Sequence, residues 1–179
     1  MVEPASGAAD GGGFDFDQST SGSVAQYNYS HDNDGAGFLS ANGPNTAVHR
    51  DNVIRYNVSE DDGRKNGHAG IQVWRQAPGL QIHHNTVFLS PTSGESAAAR
   101  IYDVRGGAGG VALRDNLLVT TGGARLVRMT ESDPGAVRFE GNDYWSSGGA
   151  FRVTWGTTTH GSLPGWRAAT GQELSLIHI

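Results

Sequence analysis

One short pattern recurs along this chain and restricts what it can fold into. Val53-Ile54-Arg55-Tyr56-Asn57-Val58-Ser59 sets an asparagine after a run of alternating apolar and polar residues, then continues as strand-like sequence. The same arrangement stands in Val24-Ala25-Gln26-Tyr27-Asn28-Tyr29-Ser30 and in Leu80-Gln81-Ile82-His83-His84-Asn85-Thr86-Val87. It returns in Val111-Ala112-Leu113-Arg114-Asp115-Asn116-Leu117-Leu118 and in Val137-Arg138-Phe139-Glu140-Gly141-Asn142-Asp143-Tyr144. The asparagines at 28, 57, 85, 116 and 142 are separated by 29, 28, 31 and 26 residues. A quasi-period of this length marks a repeat architecture, in which each unit buries its apolar side only against its neighbours.

A second series interleaves with the first. Its apolar leads are Phe14, Phe38, Ile71, Ile101, Leu126 and Phe151, spaced 24, 33, 30, 25 and 25. Two strands per repeat, no helical period between them, and turns rich in Gly, Ser, Asn and Asp predict an all-β solenoid. On such a coil one side of each strand faces a narrow core and the other faces solvent. Each asparagine is then placed to stack on its equivalent in the next coil, its amide donating to one neighbour and accepting from the other.

Composition narrows the class further. A chain of 179 residues is one domain by length. Thirteen basic against eighteen acidic residues, net −5 and with no basic run, argue against a nucleic-acid partner. Cysteine is absent, so disulfides contribute nothing. No apolar run approaches the length of a membrane span. The opening Met1 to Gly13 lacks the basic and apolar regions of a signal peptide.

The segments YNYSHDNDGAGFL, NVIRYNVSEDDGRKNGHAGIQVW, LQIHHNTVFLS and LRDNLLVTTGG resemble coils of right-handed parallel β-helix repeat proteins, the pectate-lyase-like superfamily. The stretch from Asn142 to Glu173 is similar to the closing coil of bacterial members. The resemblance covers about residues 11–173 and implies a right-handed parallel β-helix, here a truncated fragment of about five coils. It also implies a secreted carbohydrate-active protein, extracellular or at the cell surface. A polysaccharide lyase or glycoside hydrolase leads; the alternative is a non-catalytic glycan-binding or surface-spacer module, because one superfold hosts many functions. Residues 1–10 read as a loose leader. Leu174-Ser175-Leu176-Ile177-His178-Ile179 follows a polar stretch with no turn chemistry and matches what one frame of a sequencing adapter encodes. It reads as a non-native tail; the competing reading is a genuine terminal strand.

Two groups of residues are candidates for chemistry. The turns at His31-Asp32-Asn33-Asp34 and Glu60-Asp61-Asp62-Gly63-Arg64-Lys65 hold equivalent positions in adjacent repeats, about 4.8 Å apart in a solenoid. Carboxylates that close repel unless a cation joins them. Asp32, Asp34, Asp61 and Asp62 are therefore expected as hard oxygen ligands for Ca²⁺. With the resemblance in view, Lys65 and Arg64 stand as base and charge clamp beside Asp61 and Asp62. The competing reading makes these residues ordinary turn formers. The second group is Asp15, Asp17, Gln72, Trp74, Tyr102, Arg128 and Arg152, with His68 nearby, predicted outward on the second series and suited to sugar hydroxyls and ring faces. His83 and His84 are expected on opposite sides of one strand, unable to share a metal.

Overall fold

The computed structural model describes residues 11–43, 48–91, 95–105 and 110–174. The expectations for the N-terminal segment at 1–10 and for the tail from 175 onward lie outside the described residues. The chain is a parallel β-solenoid of about five turns. One face carries β1 (Phe14–Phe16), β4 (Phe38–Ala41), β7 (Ala69–Trp74), β10 (Ala97–Tyr102), β13 (Arg125–Thr130) and β16 (Val153–Trp155), closed by antiparallel β17 (Thr158–His160). A second face stacks β2 (Val24–Gln26), β5 (Val53–Arg55), β8 (Leu80–His83), β11 (Val111–Arg114) and β14 (Val137–Glu140). The third stacks β3 (Tyr29–His31), β6 (Val58–Glu60), β9 (Thr86–Leu89), β12 (Leu117–Thr121) and β15 (Asp143–Ser147).

Each turn of the solenoid thus has three strands rather than the two expected. The asparagine-bearing segment is broken in its middle, and the break has a backbone cause. Tyr27, Tyr56, His84, Asp115 and Gly141 all have positive φ, between 53° and 68°. A left-handed residue at this point bends the strand, and a non-glycine residue there is strained. The asparagine that follows holds the bend. Its Oδ1 accepts both the backbone N–H and the side-chain amide of the preceding coil's asparagine, at 2.8–3.0 Å from Asn28 through Asn142. Its Nδ2 also donates to a backbone carbonyl of the coil before: Asn57 to Ala25, Asn85 to Ile54, Asn116 to Ile82 and Asn142 to Leu113. The predicted ladder is present, with Asn57, Asn85 and Asn116 each 2% exposed.

Inside the tube run apolar rows. Ile54, Ile82, Leu113 and Phe139 form one, in register across β5, β8, β11 and β14. Phe38, Ile71, Ala99, Val127 and Val153 form another on the first face. This second row corrects the predicted leads at 101, 126 and 151, which sit one or two residues out of register. Ala97, Ala98 and Ala99 are fully buried, and such small side chains do not announce a strand interior. Burying one large aliphatic side chain in these rows contributes about 1.5–3 kcal/mol.

The downstream end is closed by Trp166, fully buried on α1 (Leu163–Thr170), with ring centroids 5.5–5.8 Å from Phe139, Trp155 and Tyr144. Ser162 caps that helix by accepting from Gly165 N–H, and Gly171 ends it with φ 69°. Behind it Glu173 takes the place of a sixth asparagine: Oε2 and Oε1 accept from the backbone and side-chain N–H groups of Asn142 at 3.1 and 2.6 Å. Among the described residues no helix is long and apolar enough to cross a membrane.

Candidate functional site

The two acidic turns do stack, with His31 opposite Glu60 and Asp32 N–H donating to Glu60 O. Their side chains then diverge. Asp62 is fully buried; its Oδ1 accepts from the Asn33 backbone and side-chain N–H groups at 3.1 and 2.8 Å, and its Oδ2 from Ser59 Oγ at 2.7 Å. Gly37 leaves the room this needs, since a Cβ there would stand 2.5 Å from Ser59 Oγ and closer still to Asp62 Oδ2. Asp61 lies at φ 52°, and its Oδ1 accepts the Ser90 N–H at 2.6 Å. Asp34 is bonded to Lys65 Nζ at 2.6 Å, and Asp32 faces Arg64 Nη1 at 3.8 Å and His31 Nδ1 at 3.1 Å. The four aspartates therefore point to four different partners. Among the described residues no group of three or more His, Cys, Asp or Glu side chains gathers as a metal cage would. As placed, the four carboxylates engage neighbouring protein groups and do not converge on one point.

The second group is drawn together more closely. Strand register sets Asp15, Leu39, Gln72, Arg100, Arg128 and Thr154 in one outward row on the first face. Trp74, Tyr102 and Thr130 form the next outward row, two residues on. The Trp74 and Tyr102 rings stack at 6.0 Å and 17°. Arg75 lies over Trp74 at 4.5 Å and Arg100 over Tyr102 at 4.3 Å, distances at which a cation is attracted to a ring face. His68, in the loop between β6 and β7, sets its Nδ1 3.1 Å from Gln72 Oε1, and Gln72 is covered to 2% exposure. Asp15 lies across Leu39 from this cluster. Asp17 lies past the end of β1, where its carboxylate accepts the Gln18 N–H.

Arginine is concentrated beside the stacked rings. Arg100 Nη1 donates to Gly67 O at 2.5 Å, and Arg152 Nη1 to Gly123 O at 2.9 Å. Arg125 and Arg128 both reach Glu95, at 3.4 and 2.7 Å. Arg125 and Arg128 side chains are 17% and 20% exposed. The Nε groups of Arg100 and Arg125 are buried without a hydrogen-bond partner. Burial, and behind it the neighbouring Arg128 for one and Arg152 for the other, pushes both guanidiniums below their ordinary pKa. They stay charged. Burial also pushes the Tyr102 phenol up. Arg125 and Arg128 thus share Glu95, with Arg100 and Arg152 as their cationic neighbours, on a chain whose overall charge is −5.

Arg100, Arg125 and Glu95 were not singled out from sequence. The signal was present in Arg100-Ile101-Tyr102, which shows its outward arginine and aromatic once β10 is correctly registered on β7 and β13. No protein-family model, curated protein or solved structure matches this chain.

Proposed function

We propose that this solenoid is a carbohydrate-active β-helix of the pectate-lyase-like kind, which holds an acidic polysaccharide along the outer face of its first sheet. The observation that supports the reading is the pairing of the Trp74/Tyr102 stack with Arg100 and Arg128 on adjacent coils, with Arg125 farther along the same strand. Ring faces of this kind take the apolar faces of sugar rings. Guanidiniums take carboxylates in fork geometry, and their strength rises where water is excluded. Strands fix both sets at the coil repeat, so successive sugars meet successive rungs. A location outside the cell, where such polymers occur, goes with this reading.

Binding without cleavage is the form the geometry supports best. Lys65, Arg64, Asp61 and Asp62, the expected catalytic set, each already carry an intramolecular contact, and Asp62 is out of reach of any substrate. Lyase chemistry is a second reading, favoured by one observation: His68 sits on Gln72, next in the row to Arg100. A guanidinium that neutralises a uronate carboxylate acidifies the adjacent C–H, and an imidazole beside it is suited to take that proton. A panel of acidic and neutral polysaccharides, run by affinity electrophoresis, tests binding. Ultraviolet absorbance of unsaturated uronates in the same mixtures tests cleavage. Equal retention on neutral and acidic polymers would remove the proposal.

A further inference from the structure

His83 and His84 are sequence neighbours, so on an ordinary strand their rings would face opposite ways. They do not. His84 is the left-handed residue of its coil, with φ 55°, and the bend brings its ring back beside that of His83. The two Nδ1 atoms lie 2.9 Å apart, with the rings edge to face at 82°. We propose that His83 and His84 form a two-nitrogen binding site for a square-planar divalent transition ion, copper(II) first, at the outer corner between the second and third faces. This site is independent of the glycan reading.

The separation of the nitrogens, a hydrogen-bond distance in the free protein, is also one that a chelated ion accepts without moving the rings apart. At metal–nitrogen bonds of about 2.0–2.1 Å, two cis ligands at a right angle stand ~2.9 Å apart. In a tetrahedral site the same bonds would set them ~3.4 Å apart. The pair therefore matches the tetragonal preference of copper(II) or nickel(II) better than that of zinc, and copper heads the affinity order for imidazole donors. The rings are held in place: Tyr56 packs on His84 at 5.1 Å and edge-on against His83 at 5.9 Å. Asp115 holds the next left-handed position in the column, its backbone carbonyl accepting the His84 N–H, and among the described residues no third side-chain donor gathers with the pair, so the two imidazoles are the protein's ligands and water completes the plane.

One effect opposes the ion. Arg55 and Arg114 flank His83 in strand register. Arg55 is turned aside, its Nε donating to Gln26 Oε1 at 2.9 Å, and Arg114 is exposed, where salt screens it. Without metal, one Nδ1–H can donate to the other Nδ1; on binding that proton passes to Nε2 of the same ring, which leaves both Nδ1 lone pairs for the ion.

Copper(II) titrated into the full chain by calorimetry, in a non-coordinating buffer at neutral pH, tests the site, with electron paramagnetic resonance of the product. The expected result is a single tight equivalent whose spectrum shows two imidazole nitrogens, with zinc bound more weakly. His83→Ala and His84→Asn should each weaken copper by about tenfold or more. Asparagine tolerates the left-handed backbone, so the second variant keeps the fold. His31→Ala and His160→Ala should bind as the parent does. Absence of a copper response in the parent, or full binding by a folded double variant, would overturn the site.

Discussion

Replacing Asn85 by leucine tests the ladder at a fully buried central rung. The Asn85 side chain accepts from the Asn57 backbone N–H and amide, and donates to Asn116 Oδ1, Ile54 O and His83 O. After substitution the Asn57 N–H and the Ile54 carbonyl lose these side-chain partners inside the coil. The Asn57 amide keeps Ala25 O, and Asn116 Oδ1 keeps the Asn85 backbone N–H. Two buried groups at about 1–3 kcal/mol each, less a partial return from leucine burial, give a loss of about 2–4 kcal/mol. Asn28→Ala should cost less, about 1 kcal/mol, because its bonds lie at a half-exposed end where water replaces them. Urea unfolding followed by circular dichroism measures both, with the midpoint read at unchanged slope. A loss below about 0.5 kcal/mol for Asn85→Leu would show that the amide ladder does not hold the bends.

Glu173→Ala removes the acceptor that ends the ladder for Asn142 and for the Tyr144 hydroxyl, and should lower stability by about 1–3 kcal/mol in the same assay. The Tyr144 phenol is pushed well above its ordinary pKa, first by burial and then by Glu173. The folded state therefore keeps a proton that the unfolded chain gives up above about pH 10, so stability should fall as pH rises beyond that point. Tyr144→Phe should flatten this alkaline decline in a series of thermal melts; an unchanged slope would show that Tyr144 is not its source. Deleting residues 174–179 should leave Tm unchanged, since Leu174 is 69% exposed and, among the described residues, the last one tied into the closing coil is Glu173.

How much of this was legible in the sequence follows from the chemistry of each residue. The ladder could be read because an amide side chain carries both N–H donors and a carbonyl acceptor, so equivalent asparagines one coil apart can bond in a continuous row when Asn28, Asn57, Asn85, Asn116 and Asn142 share one register. The bend before each asparagine could not, because Tyr27, Tyr56, His84 and Asp115 carry no left-handed signature of the kind glycine gives. That one omission hid the third strand of every coil and misplaced His84 relative to His83. The acidic turns could not be sorted either: Asp61 and Asp62 are adjacent and chemically alike, yet one caps Ser90 N–H and the other is buried on Asn33 and Ser59. The arginine cluster escaped because its strands are aligned by buried alanines, which leave little hydrophobic pattern to register against.

The outer face of the first sheet is where the proposed acidic polysaccharide binds. Isothermal titration of polygalacturonate and of a neutral galactan, into the parent and into Arg100→Ala with Arg128→Ala, measures it directly. The account predicts binding of the acidic polymer alone, weakened by added salt and lost about tenfold to a hundredfold in the double variant, as removal of charged hydrogen bonds worth about 1.5–3 kcal/mol requires. Undiminished affinity in a folded double variant would contradict it.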